Sequence, residues 1–204
     1  MRENPKNQFV PDDPKTLWLS TGKAPDRDMT VIDEFTYWDP KGKPWIAPAG
    51  TEIDGASIPR PLWAIVGSPY TGHYRRASIL HDYACEKAKN FAERRAADRM
   101  YYYACRKGGC SKAQAVVQYL GVSIGAWAGR IEPLEIYSRP YDPDGETRLE
   151  RETRQITDEI IVGTFHELWL AVRDMADDAD DESVFDKIED EVDRQLALKA
   201  KQLS

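Results

Sequence analysis

His81 and Asp82 stand side by side in the run ASILHDYACEKA, among Ala77, Ile79, Leu80, Ala84 and Cys85. Both groups are costly to bury, so a helix that sets them amid small apolar residues either exposes them at its solvent edge or holds them in a site. Asp98 follows in the next helical stretch, on one face with Arg94, Tyr101, Tyr102 and Cys105. The junction between the stretches is short, so they run antiparallel, and His81 and Asp98 lie at similar distances from it. His81 shares its face with Ala77, Ala84, Cys85 and Ala88, all small, which lets the partner helix approach closely. A carboxylate on one imidazole nitrogen fixes the tautomer and leaves the other nitrogen to take a proton from water. That is a general base with its orienting group. Asp82 points about a quarter-turn away, toward the side where a loop at Asp54 and Gly55 can fold back. Two carboxylates plus loop carbonyls make an oxygen-only site for a hard cation, calcium more readily than zinc.

The same residues admit a structural reading. There, both His81 nitrogens are occupied by protein groups, Asp82 pairs with an arginine such as Arg75 or Arg99, and no cleft opens. Tyr101, Tyr102 and Tyr103 read as core and rim packing, and Cys85 and Cys105 as small buried residues. Three cysteines, with no C-x-x-C pair and no ligand-like histidine spacing, read as reduced thiols rather than a zinc site.

The elements that must position these groups follow from the patterning. TLWLS and MTVIDEFTYWDP are rich in β-branched and aromatic residues, DPKGK is a turn, and PWIAPAGTEI is the return strand. They predict a small antiparallel meander. Asp54 to Thr71 reads as an irregular loop anchored by Ile58, Leu62, Trp63 and Ile65. Three helices are then predicted, over about 72–89, 91–107 and 111–129. Asn90 and Ser111 serve as N-caps, and Gly108-Gly109 is a stop. The stretch SRPYDPDGET, 138–147, is the expected domain boundary. Beyond it two amphipathic helices flank the acidic DDADDE, a helical hairpin whose apolar stripes need the main domain, each other or another copy. The expected fold is α+β, a β meander with a three-helix core over 1–137 and an acidic helical hairpin over 148–204.

Composition narrows the function. The chain has 204 residues, a 41% hydrophobic fraction and a formal net charge of −7. That charge argues against non-specific nucleic-acid binding. No apolar run has membrane-spanning length, and the first residues lack a signal-peptide core. The expected location is a host cytoplasm or a virion.

Two resemblances add to this. Residues from about Val31 to Gly129 resemble the largely phage and prophage family catalogued as domain of unknown function 1353, through PAGTEIDGASIPRPLW, GHY, ASILHDYA and AADRMYYYA in order. A more distant similarity links the chain to prokaryotic secreted phospholipases A2. It rests on Asp54, Ser57 and Pro59, then HDY at His81–Tyr83, then ADRMYYYAC with Asp98. That likeness implies His81 as the base, Asp98 as its partner, and Asp82 with Asp54 and the Gly55 carbonyl as calcium ligands. Those enzymes are secreted and disulfide-braced, which this chain does not match, and the spacings between motifs differ.

The leading expectation is therefore a phage-derived, calcium-dependent hydrolase of phospholipid esters, with Leu62, Trp63 and Ile65 as apolar helpers at the pocket mouth. The alternative is a non-enzymatic phage tail or head accessory protein. A metal phosphohydrolase of the HD type ranks last, because His73 is too close to His81 in sequence to serve as its further ligand.

Overall fold

The computed structural model describes residues 5–19, 28–53, 58–67, 71–131 and 156–203. They form the expected α+β structure, with two three-stranded antiparallel sheets and six helices among the described residues. The chain divides into two compact units, one of residues 1–56 and 68–111, the other of 57–67 and 112–204.

The first unit holds all six strands: β1 (Gln8–Val10), β2 (Thr16–Trp18), β3 (Met29–Val31), β4 (Phe35–Trp38), β5 (Pro44–Ala47) and β6 (Glu52–Ile53). They do not make one meander. One sheet has the order β1-β4-β5 and the other β2-β3-β6. The run from Met29 to Pro40 is broken by a bend at Ile32–Asp33, so β3 and β4 enter different sheets. The return strand splits as well. Gly50, at φ +81°, turns the chain out of the first sheet. Its N–H then bonds to the Val31 carbonyl at 2.7 Å, and Val31 N–H to the Thr51 carbonyl at 2.9 Å, which starts the pairing of β6.

The predicted turn at DPKGK forms as chemistry demands. Asp39 Oδ1 accepts from the backbone N–H groups of Lys41 and Lys43, each at 2.9 Å. Inside the first sheet Phe9 packs on Phe35 and Tyr37, with ring centroids 5.6 and 5.0 Å apart.

Two helices complete this unit: α2 (Arg75–Lys87) and α3 (Phe91–Gly108). α2 packs on β5 and on α3. Arg76 anchors its start, with the guanidinium 4.8 Å from the Phe9 ring and a 2.9 Å bond to the Asp12 carbonyl. Asn90 caps α3, accepting from Glu93 N–H at 2.9 Å, while the Glu93 carboxylate reaches back to Lys89 N–H at 2.8 Å.

The second unit contains a 3-10 turn (Arg60–Leu62), α1 (Trp63–Val66), α4 (Lys112–Ile131), α5 (Asp158–Val172), a 3-10 turn (Arg173–Asp178) and α6 (Glu182–Leu203). α4, which the patterning groups with α2 and α3, packs instead with α1, α5 and α6. The reason lies in its sequence: residues 121–128 are buried on every face, so one neighbouring helix cannot cover them. The stripes of α5 (Ile161, Phe165, Leu168, Val172) and α6 (Phe185, Ile188, Val192, Leu196) are buried in the same unit. Tyr119 meets Phe185 edge-on at 5.0 Å and bonds to Glu189 at 3.3 Å. Gln118 Nε2 donates to the Val66 carbonyl at 2.6 Å, closing the end of α1. The boundary expected at 138–147 lies outside the described residues. No helix among the described residues is long and apolar enough to cross a membrane.

Candidate functional site

The α2–α3 pair brings His81 and Asp98 together. His81 Nε2 and Asp98 Oδ1 are 2.7 Å apart, and both side chains are buried. Two features of the sequence produce this. Ala77 on α2 and Ala97 on α3 are fully buried small residues, which lets the helices approach closely. The Asn90 cap then fixes where α3 starts relative to the end of α2.

Asp98 carries a further load that the spacing signals but the sequence reading did not assign. Arg94, one turn before it, places Nε 3.3 Å from Oδ1, and Arg95 places a guanidinium nitrogen 3.7 Å from Oδ2. The i,i+4 spacing of Arg94 and Asp98 was the available clue.

Electrostatics assign the protonation states. Burial pushes the His81 imidazole below its ordinary value, against the opposing pull of Asp98. Burial pushes the Asp98 carboxyl up, but the His81 hydrogen bond and the Arg94 and Arg95 charges outweigh it and hold it below its ordinary value. The pair is therefore neutral imidazole and carboxylate anion. Nε2–H donates to Asp98, and the lone pair resides on Nδ1.

Cys85, one turn after His81, places Sγ 3.3 Å from Nε2 and 3.6 Å from Nδ1. A sulfur nearly equidistant from both ring nitrogens is not aligned to hand its proton to either. Burial also raises the thiol well above its ordinary value. Cys85 is thus a poor nucleophile here. On the other side, the Tyr101 ring lies 4.8 Å from the imidazole, and its hydroxyl is 3.4 Å from Ser78 Oγ.

His81, Cys85 and Asp98 form the group of donors closest to a metal-ligand arrangement among the described residues, their donor atoms all lying within 4.8 Å. Nitrogen, sulfur and oxygen together suit zinc better than calcium. The Arg94 and Arg95 charges already neutralise the carboxylate, which disfavours a cation at that point.

Of the expected calcium ligands, Asp82 is half-buried on α2, and its charge acts on Arg94. Asp54 and Gly55, with Ser57 of the same loop, lie outside the described residues. The expected apolar helpers belong to the second unit. Leu62 is fully buried there and offers nothing to a lipid surface, a correction to the sequence reading. The two prolines before it, Pro59 and Pro61, and the 3-10 turn they shape carry it inward. Trp63 is half-buried and donates Nε1–H to the Ile58 carbonyl at 3.1 Å, while Ile65 is exposed. His73 lies against Gly109 at the C-terminus of α3, two turns from His81 along α2.

Residues 29–122 match the family described as Protein of unknown function (DUF1353). The match takes in β3 to β6, both helices of the site and the first half of α4, and with them His81, Asp82, Arg94 and Asp98. Two curated proteins of Sinorhizobium fredii are similar. The "Uncharacterized protein y4jT" is 35% identical over 119 residues, 58% of this chain and 32% of that protein. The "Uncharacterized protein y4iH" is 33% identical over 104 residues, 50% of this chain and 42% of that protein. The chain thus spans less than half the length of either relative. No solved structure matches it.

Proposed function

We propose that this chain is a phage-derived hydrolase of lipid esters, phospholipase A2-like and calcium-dependent, in which His81 is the general base and Asp98 its orienting group. The observation that carries the reading is the 2.7 Å bond between His81 Nε2 and Asp98 Oδ1. A neutral imidazole bonded through Nε2–H to a carboxylate presents its Nδ1 lone pair in a fixed direction. Nδ1 can take a proton from an attacking water, and Asp98 stabilises the imidazolium that forms. Arg94 and Arg95 keep Asp98 ionised, so the proton stays on the imidazole rather than crossing to the carboxylate. Asp82, an oxygen donor one residue along α2, fits a hard cation in its chemistry, and Asp54 with the Gly55 carbonyl would complete the ligand set. Bound calcium would supply polarisation of the ester carbonyl.

One observation favours a second reading. His81 is 0% exposed, and Cys85 Sγ lies within 3.6 Å of Nδ1, so protein encloses the base in this conformation. On that reading the chain is a non-enzymatic phage structural or accessory protein, and the cluster locks α2 to α3.

The deciding experiment is a fluorescent phospholipid panel titrated with calcium, run on the wild type and on His81→Ala, Asp98→Asn and Asp82→Asn. The catalytic reading expects calcium-dependent release of fatty acid, absent in His81→Ala and reduced about 100–10,000-fold in Asp98→Asn. It also expects Asp82→Asn to lose any thermal shift produced by calcium while retaining its fold. A folded wild type that releases nothing at any calcium concentration, and gains no thermal stability from the ion, establishes the accessory reading.

A further inference from the structure

The end of α3 contains a second pair of reactive groups, outside the His81 site. Gly108-Gly109 terminates the helix, with Gly109 at φ +110°. Gly109 N–H bonds to the Arg106 carbonyl at 3.2 Å and Cys110 N–H to the Cys105 carbonyl at 3.1 Å. These are the paired bonds of a Schellman cap, which bring the residue after the left-handed glycine back onto the residue five before it. Those facing positions commonly hold an apolar contact. Here both are cysteines.

The geometry permits a covalent link. Adding the backbone bond lengths on either side of the 3.1 Å Cys110 N–H contact limits the two Cα atoms to at most about 7.3 Å, and the bent path of the cap brings them closer than that. A disulfide spans about 4.4–6.8 Å between Cα atoms. Both cysteines are buried, and each thiol lies close enough to shift the acidity of the other. Side chains hold the cap as well: Arg106 of the last turn donates to the Cys110 carbonyl, and Arg76 of α2 reaches the Gly108 carbonyl at 3.4 Å.

We propose that Cys105 and Cys110 are a reversible dithiol–disulfide pair that staples the C-terminus of α3. Cys110 is the thiol that reacts first. Its interaction with Cys105, assisted by the Arg106 charge, outweighs burial and draws it below its ordinary value, whereas burial raises Cys85 and Cys105 well above theirs. With a peroxide as oxidant, the Cys110 thiolate attacks one peroxide oxygen, the O–O bond breaks, and a sulfenic acid and one water (or alcohol) result. The Cys105 sulfur then attacks the sulfenic sulfur, the S–O bond breaks, and a second water leaves with the Cys105 proton. Two thiols are oxidised by two electrons and the peroxide is reduced by two. A small dithiol reverses the link by exchange.

The pair also communicates with the His81 site. Cys105 and Tyr101 act electrostatically on each other, and the Tyr101 ring is the one that packs on His81. Oxidation consumes the Cys105 S–H and changes that contact one turn from the imidazole.

Tryptic mapping of the native wild-type protein tests this without any variant. Trypsin cuts after Arg99, Arg106, Lys107 and Lys112, so the reduced chain yields MYYYACR and GGCSK as separate peptides. After treatment of the folded protein with hydrogen peroxide and alkylation of remaining thiols, the two peptides are expected as one linked species lacking two hydrogens. Dithiothreitol should separate them, and ASILHDYACEK should carry its alkylated Cys85 throughout. Cys110→Ser should abolish the link. Unlinked peptides after peroxide, Cys110 recovered as sulfinic acid, or a link involving Cys85 would each overturn the proposal.

Discussion

A Cβ added to Gly108 would overlap the backbone carbonyl oxygen of His73. The start of α2 and the end of α3 therefore touch backbone to backbone, and this contact sets the register of the two helices. From it His81 lies about two turns along α2 and Asp98 about three turns back along α3, which is how they come to meet at 2.7 Å.

Gly108→Ala should consequently destabilise the protein. Alanine gains up to about 1 kcal/mol of intrinsic helix preference over glycine. The clash with a backbone atom, which cannot rotate away, forces the helices apart at a cost of about 1–3 kcal/mol or more. Urea denaturation should show a lowered midpoint. A raised midpoint would mean that the contact yields.

Asp98→Ala should cost about 3–5 kcal/mol, because it leaves the Arg94 guanidinium buried without its carboxylate and removes the acceptor of His81. Asp98→Asn preserves the shape and one acceptor, so its cost should be clearly smaller. Equal losses for the two variants would show that the charge of Asp98 contributes nothing.

Acid should destabilise the fold in a defined window. Both His81 and Asp98 are held below their ordinary values in the folded chain. The unfolded chain therefore binds the His81 proton first, beginning near pH 6.5, and stability falls as pH drops below that value at up to about 1.4 kcal/mol per pH unit. The Asp98 contribution, present above the unfolded value near pH 3.9, is lost only at lower pH, as its folded value is approached. His81→Gln should flatten the upper part of the curve. Wild-type stability that is constant between pH 7 and 5 contradicts the assignment of a buried neutral imidazole.

A chain ended after Tyr137 should not give a well-packed protein. It would keep α4 but lose α5 and α6, whose stripes are buried in the same unit, and the apolar faces over 121–128 would meet water. Near-UV circular dichroism and size-exclusion chromatography should report lost packing or association. A monomeric, cooperatively unfolding 1–137 protein would show that α4 can be covered without the hairpin.

Much of the site was legible in the sequence because helices keep a fixed period. Asn90 as a cap, Gly108-Gly109 as a stop and the small residues beside His81 are local signals. Counting from the short junction between the helices was enough to set His81 opposite Asp98. The turn at Asp39 is local in the same way, its side chain bonding to backbone groups within four residues. What folding alone decided depends on contacts between distant segments. β3 and β4 read as one strand, yet a two-residue bend sends them to different partners, because strand pairing is chosen by what lies alongside and not by the strand's own pattern. The partners of α4 were equally hidden: an apolar surface states that it must be covered, not by what. The same holds for His81. Its type and spacing promised a base, but its enclosure by Asp98, Cys85 and Tyr101 is a property of the packed interior, where two helices close around one ring.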